Sequence, residues 1–107
     1  MHTTNITERL SIIFSGEDMK RICLTANKDG IEITANVHEM TVCAAKKFIR
    51  NIIALLRGAF TLIVIHGYNR GHAIKDMCRT VLISNRVNDI SADPTNPGVT
   101  IMAVSEA

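Results

Sequence analysis

Tryptophan is missing from this chain, and three phenylalanines and one tyrosine are its only aromatic residues among 107. A close-packed interior therefore has to be assembled from Ile, Leu, Val, Ala and Met. Proline occurs only at positions 94 and 97, so one late stretch takes both breaks and the rest is free to form continuous elements. Cysteine is scarce and odd in number. Cys23, Cys43 and Cys78 are far apart, and no histidine stands at a zinc-finger distance from them. That pattern argues against a disulfide framework and a structural metal, and the three are expected to be buried, reduced thiols. The longest apolar runs, "IIALL" and "LIVI", fall far short of the roughly twenty residues that span a bilayer. No basic-apolar-small leader opens the chain, so a cytoplasmic location without a membrane partner is expected.

Acidic residues are absent from one region. Between Met40 and Lys75 stand six bases (Lys46, Lys47, Arg50, Arg57, Arg70 and Lys75) and no Asp or Glu, although the chain holds ten acids and a net charge of only +2. A basic block of this kind favours a polyanionic partner, DNA or RNA first of all. The length fits one domain, since a single core remains efficient well beyond this size.

The elements follow from periodicity. Met1–Thr7 is expected to be a loose terminus, and "RLSIIF" (Arg9–Phe14) a short strand stopped by Ser15-Gly16. Alternating runs flank Lys28-Asp29-Gly30, so Arg21–Ala26 and Ile31–Val37 are predicted to form a hairpin. From Thr41 the period changes: Val42, Ala45, Ile49, Ile52 and Leu56 share one helical face. Thr41 is its expected N-cap and Gly58 its expected stop. "FTLIVIH" (Phe60–His66) is apolar at nearly every position, as in a central strand covered on both faces or close to it. With the helix before it, it forms a β-α-β unit whose strands run parallel. A second helix is predicted from about His72 to Ile83. The turn-rich "ADPTNPG" and a last strand, Val99–Ser105, close the chain. The fold class is α/β (α+β), a two-layer sandwich of β-α-β-α-β-β type with an extra N-terminal strand or hairpin.

Parallel strands place their carboxyl ends on one sheet edge, where open α/β sheets bind ligands. His38 and His66 then face one crevice, as general acid and base, as metal ligands or as hydrogen-bond donors to a phosphate. In "VIHGYNRG", Gly67 and Gly71 permit a close backbone approach, Arg70 supplies a fork of donors suited to phosphate and Tyr68 a ring for stacking. Asn69 completes that loop, and the unpaired amides of the following helix attract anions.

The segments "NVHEMTVCAAKKFI" and "LIVIHGYNRGHAIKDMCR", with the closing "NPGVTI", resemble the Smr (small MutS-related) domain of MutS2 C-termini and stand-alone Smr proteins. The match runs from about Ile33 to Val104. It implies a fold similar to the C-terminal domain of translation initiation factor three, and nucleic-acid binding with, in many members, nicking endonuclease activity on DNA or RNA. His38 matches the histidine of the first motif, His66 and Gly67 the opening of the second, and Gly71 its last glycine. Asn36 stands in place of the first motif's acidic residue, Glu39 in place of the glycine after its histidine, and Asn69 in place of the second motif's middle glycine. An amide cannot serve as a base or hold a divalent cation as a carboxylate does.

The resemblance implies that residues 1–30 are an N-terminal strand or hairpin extension packed on the same domain, and 31–107 an Smr-like domain. Its binding surface consists of Gly67, Tyr68, Asn69, Arg70, Gly71, Lys46, Lys47, Arg50 and Lys75. His66 and His38 are the candidate catalytic pair, supported by Asn36, Glu39 and Thr41. No metal or cofactor site is expected, save Mg²⁺ or Mn²⁺ if the chain is an endonuclease. The alternative is a non-catalytic module for DNA, RNA or ribosomes.

Overall fold

The computed structural model describes residues 3–67, 72–80 and 83–106. In chain order these form α1 (Thr3–Ile13), α2 (Gly16–Met19), β1 (Ile22–Asn27), β2 (Gly30–Asn36), α3 (Val42–Leu55), β3 (Phe60–Ile65), α4 (His72–Thr80), β4 (Val87–Asp93) and β5 (Asn96–Val104). The five strands make one sheet in the order β1-β2-β3-β5-β4. β2 and β3 are parallel, with α3 as their crossover, and every other neighbouring pair is antiparallel. From β2 onward the order is β-α-β-α-β-β, an α+β two-layer arrangement.

Alternation explains the layers. Ile33, Ala35, Leu62, Val64, Met102 and Val104 point to the helix side and are buried, and they pack with Ala45, Phe48, Ile49, Ile52 and Ile53 of α3 in one core cluster. Apolar residues at i, i+3, i+4, i+7 and i+8 give α3 its buried stripe. The Thr41 hydroxyl caps it by accepting from the Ala44 amide at 3.1 Å.

Several expectations are corrected. Arg9–Phe14 is not a strand, nor are residues from Thr3 onward a loose end: both lie in or beside α1. Ile6, Leu10 and Phe14, four residues apart, are 1%, 1% and 7% exposed within the common core, while Ile12 is 81% exposed. The apolar doublet Ile12-Ile13 imitates a strand, but the spacing of four decides for a helix. Ser15 begins a structure instead of ending one, its hydroxyl accepting from the Asp18 amide at 3.2 Å at the head of α2. β3 is central, fully covered on one face and partly shielded on the other. Phe60, Leu62 and Val64 are buried, whereas Thr61, Ile63 and Ile65 are half-buried on the open face.

Gly58 does not stop α3. The helix ends because Leu56 turns extended, with φ −102° and ψ 125°. Arg86 secures that end, its guanidinium donating to the carbonyls of Ile53, Gly58 (3.1 Å) and Ser105 (2.9 Å). A cation at the last free carbonyls of a helix also meets the negative end of its dipole. The last strand begins at Asn96, three residues earlier than expected, and includes Pro97. The ladder with β4 slips beside it, and on the other side β3 is paired no further than Val99, so no partner needs the missing amide hydrogen.

Cys78 alone is buried; Cys23 and Cys43 are exposed, contrary to expectation. Burial pushes the Cys78 thiol up to about 11. A thiol reagent at neutral pH should therefore label Cys23 and Cys43 in the native protein and Cys78 only after denaturation, as read by peptide mass spectrometry. Native labelling of Cys78 at a comparable rate would contradict this packing.

Candidate functional site at the strand ends

Because β2 and β3 run parallel, with Asn36 opposite Ile65, their carboxyl ends emerge together. β2 ends in a tight turn before α3. The Asn36 side-chain oxygen accepts from the His38 amide at 3.0 Å, and the Met40 amide donates to the Val37 carbonyl at 3.1 Å. Arg21 clasps the turn from outside, one guanidinium nitrogen donating to the carbonyls of Asn36 (3.2 Å) and His38 (3.1 Å). Glu39 sits at φ 73°, the one non-glycine with positive φ among the described residues. Such a conformation costs an L-residue roughly 1–2 kcal/mol, so the turn is held by its surroundings.

The end of β3 is tied to β5. The amides of His66 and Gly67 both donate to the Gly98 carbonyl, at 3.0 and 3.1 Å. The His66 ring is fully buried, with Nδ1 3.0 Å from the Gly67 carbonyl and Nε2 2.9 Å from the Thr100 hydroxyl. A carbonyl only accepts, so Nδ1 carries the proton, and the neutral ring leaves Nε2 to accept from Thr100. Burial holds the His66 pKa below 6.5, and the charges of Arg79 and Lys75 push the same way, against the opposing pull of the Gly67 carbonyl. Gly67 has φ 90°, and a Cβ there would overlap Cδ2 of His38. The His38 ring thus lies directly on the Gly67 backbone.

These segments enclose a cavity of about 280 Å³ lined by His38, Glu39, Met40, His66 and Ile74. His38 is its accessible imidazole: its side chain is 49% exposed, with Nδ1 3.9 Å from a Glu39 carboxylate oxygen. Among the described residues Glu39 is the only carboxylate lining the cavity, and His66 spends both nitrogens on protein partners. No cluster of three or more His, Cys, Asp or Glu able to hold a metal occurs among the described residues. A divalent cation would have to take most of its ligands from water and substrate.

Of the residues singled out in the sequence, His38, His66, Gly67 and Glu39 converge here. Asn36 shapes the turn without lining the cavity, and Thr41 caps α3. Lys46 is half-buried, and Lys47 and Arg50 are exposed on α3. Lys46 and Arg50 share one flank, being four residues apart, and Lys47 occupies another. Lys75 is half-buried on α4. Tyr68, Asn69, Arg70 and Gly71 lie outside the described residues. Sequence reasoning missed Arg21, Gly98 and Thr100. Thr100 left a signal: it takes an inward position of β5 in register with Met102 and Val104, where a lone hydroxyl needs a partner.

Two outcomes follow. Below pH 6.5 the unfolded chain takes up a proton at this imidazole while the folded ring remains neutral, so the unfolded state binds more protons. Stability to urea should accordingly fall as pH drops below 6.5 and level off only once His66 itself titrates in the native state. An NMR titration placing the His66 midpoint at or above 6.5 would refute this. Gly67→Ala should cost about 2 kcal/mol or more, because it combines a left-handed backbone with displacement of His38; a denaturant melt unchanged from the parent would contradict the contact.

In comparisons with known proteins, the chain matches no family model and no curated protein.

Proposed function

We propose that this chain is a nucleic-acid-binding domain of the Smr type, holding phosphates along its helix-bearing side and at the strand-end cavity. The observation that carries this reading is the acid-free basic patch on α3, set against an open sheet face whose charged residues are all acids. None of the five strands contains a lysine or arginine, and the open sheet face carries Glu32 and Asp89. That face repels a phosphate backbone. Helix α3, by contrast, bears Lys46, Lys47 and Arg50 and no acid, Arg57 follows it, and α4 adds Lys75 and Arg79. Cations on one side, next to a cavity with an exposed histidine, fit a polyanion.

The Smr resemblance gains support from Glu39. It stands where the family motif has glycine, and its backbone keeps the left-handed conformation that a glycine would adopt without cost. His66, buried and bonded through both nitrogens, supports a binding module over a nuclease that uses this ring as its base. A second reading, a nicking endonuclease on DNA or RNA, rests on His38. Its exposed ring can move a proton at the cavity, with Glu39 beside it.

Binding is tested by fluorescence anisotropy with single- and double-stranded DNA and RNA across a salt series. Affinity should fall linearly in log–log form, and each of Lys46→Ala, Lys47→Ala and Arg50→Ala should reduce the slope by about one contact. An interaction insensitive to salt, or unchanged in the triple variant, would overturn the proposal. Cleavage is tested by a nicking assay with Mg²⁺, Mn²⁺ or EDTA. If the chain cuts, His38→Ala should abolish cutting, and Asn36→Asp, which restores the acid of the first motif while retaining an acceptor for the His38 amide, should increase it.

A further inference from the structure

A second cavity adjoins the first. It measures about 260 Å³ and shares Met40 as a wall with the histidine cavity, so the two lie side by side. Its apolar floor is made by Phe14, Phe48 and Ala44, the two rings tilted against each other at 4.9 Å between centroids. Three polar side chains line it: Asp18 from α2, and Lys47 and Asn51 from one flank of α3. Among the described residues, none of these three side chains has a hydrogen-bond or ion-pair partner. An unpaired carboxylate, ammonium and amide therefore converge on an apolar floor, beside the cavity to which the phosphate has been assigned.

Resting on the nucleic-acid reading above, we propose that this cavity is a base-specific subsite that takes an unpaired guanine from a single strand whose adjoining phosphate lies toward His38. The chemistry selects the base. A carboxylate accepts two parallel N–H donors, and guanine alone presents them, N1–H and the N2 amino group, side by side with an acceptor, O6. The amide of Asn51 or the ammonium of Lys47 serves O6. Uracil has one donor between two acceptors, and cytosine and adenine each offer a single donor group on that edge, so they leave the Asp18 carboxylate half-satisfied. The edge being read is the one used in base pairing, which restricts the ligand to unpaired nucleotides. The apolar floor supplies the sequence-tolerant part of the affinity.

The test uses the whole chain and short fluorescent oligouridylates carrying one central G, A, C or inosine. The G-containing strand should bind about tenfold tighter than the A, C or all-U strands. Inosine, which lacks the N2 amino group, should fall between. Asp18→Asn should erase the preference while leaving the all-U affinity and its salt slope unchanged or slightly stronger, since a negative charge is lost. Asn51→Ala, checked for a native melt, should weaken the preference partially. Equal affinity for all hosts with salt dependence intact, or a G preference that survives Asp18→Asn, would overturn the subsite alone. Loss of all strand binding would overturn the parent reading with it. Guanosine monophosphate serves as competitor; displacement of the strand by near-stoichiometric amounts would reassign the cavity to a free nucleotide and overturn the proposal.

Discussion

The close approach of three backbone segments at Gly67 governs this molecule. The Gly98 carbonyl takes the amides of both His66 and Gly67, and a side chain on Gly98 would press to 3.2 Å from the Gly67 carbonyl carbon. On the other side the His38 ring occupies the space where a Gly67 side chain would stand. Bare backbone between β5 and the β2 turn is thus what lets two strand ends and one strand start meet. Residues separated by up to sixty positions in sequence come together only through that absence of side chains. The cavity is a consequence of that meeting, not an added feature.

The same contact assigns different work to the two histidines, which in the sequence look equivalent. His66 faces the core side of the sheet with Val64 and Thr100, and burial forces every polar atom to find a partner. It becomes a strut, neutral and doubly bonded. His38 leaves the sheet one turn earlier, on a loop held by Asn36 and Arg21, and retains an accessible ring. Exposure, not residue type, decides which imidazole can meet a ligand.

Much of this was legible in the sequence. The hairpin around Lys28-Asp29-Gly30, the spacing of α3, the parallel crossover and the sharing of one sheet edge by His38 and His66 all follow from local periods that tertiary packing does not contest. What was not legible depended on partners distant in sequence. Arg86 serves a helix end through Ile53 and Gly58, and no local pattern announces that. Gly98 and Pro97 looked like loop residues, because the slip between β4 and β5 that accommodates them is a property of two strands together. α1 was misread because two adjacent isoleucines outweighed a spacing of four that only its burial makes visible. The apolar run of β3 suggests cover on both faces or nearly so because Ile63 and Ile65 also occupy its open side, where they remain half-buried.

The misread segment also changes what sets this chain apart. The span proposed as Smr-like runs from about Ile33 to Val104, so α1 and α2 lie outside it. Yet Phe14 and Asp18 supply two of the seven residues that line the second cavity, and Ile6, Leu10 and Phe14 join the common core. Had the N-terminal segment been a strand, it would have added to the sheet edge and left the flank of α3 bare. As a helix it stands against α3 and converts that flank into a wall, with Lys47 and Asn51 on one side of the groove and Asp18 on the other. A carboxylate facing a lysine across an apolar floor makes poor sense for a plain phosphate track, where it would repel the ligand. It makes sense where a neutral, hydrogen-bonding group must be chosen next to the phosphate. Under the proposed reading, the span from Ile33 onward would supply the grip, and the N-terminal helices the means of discrimination.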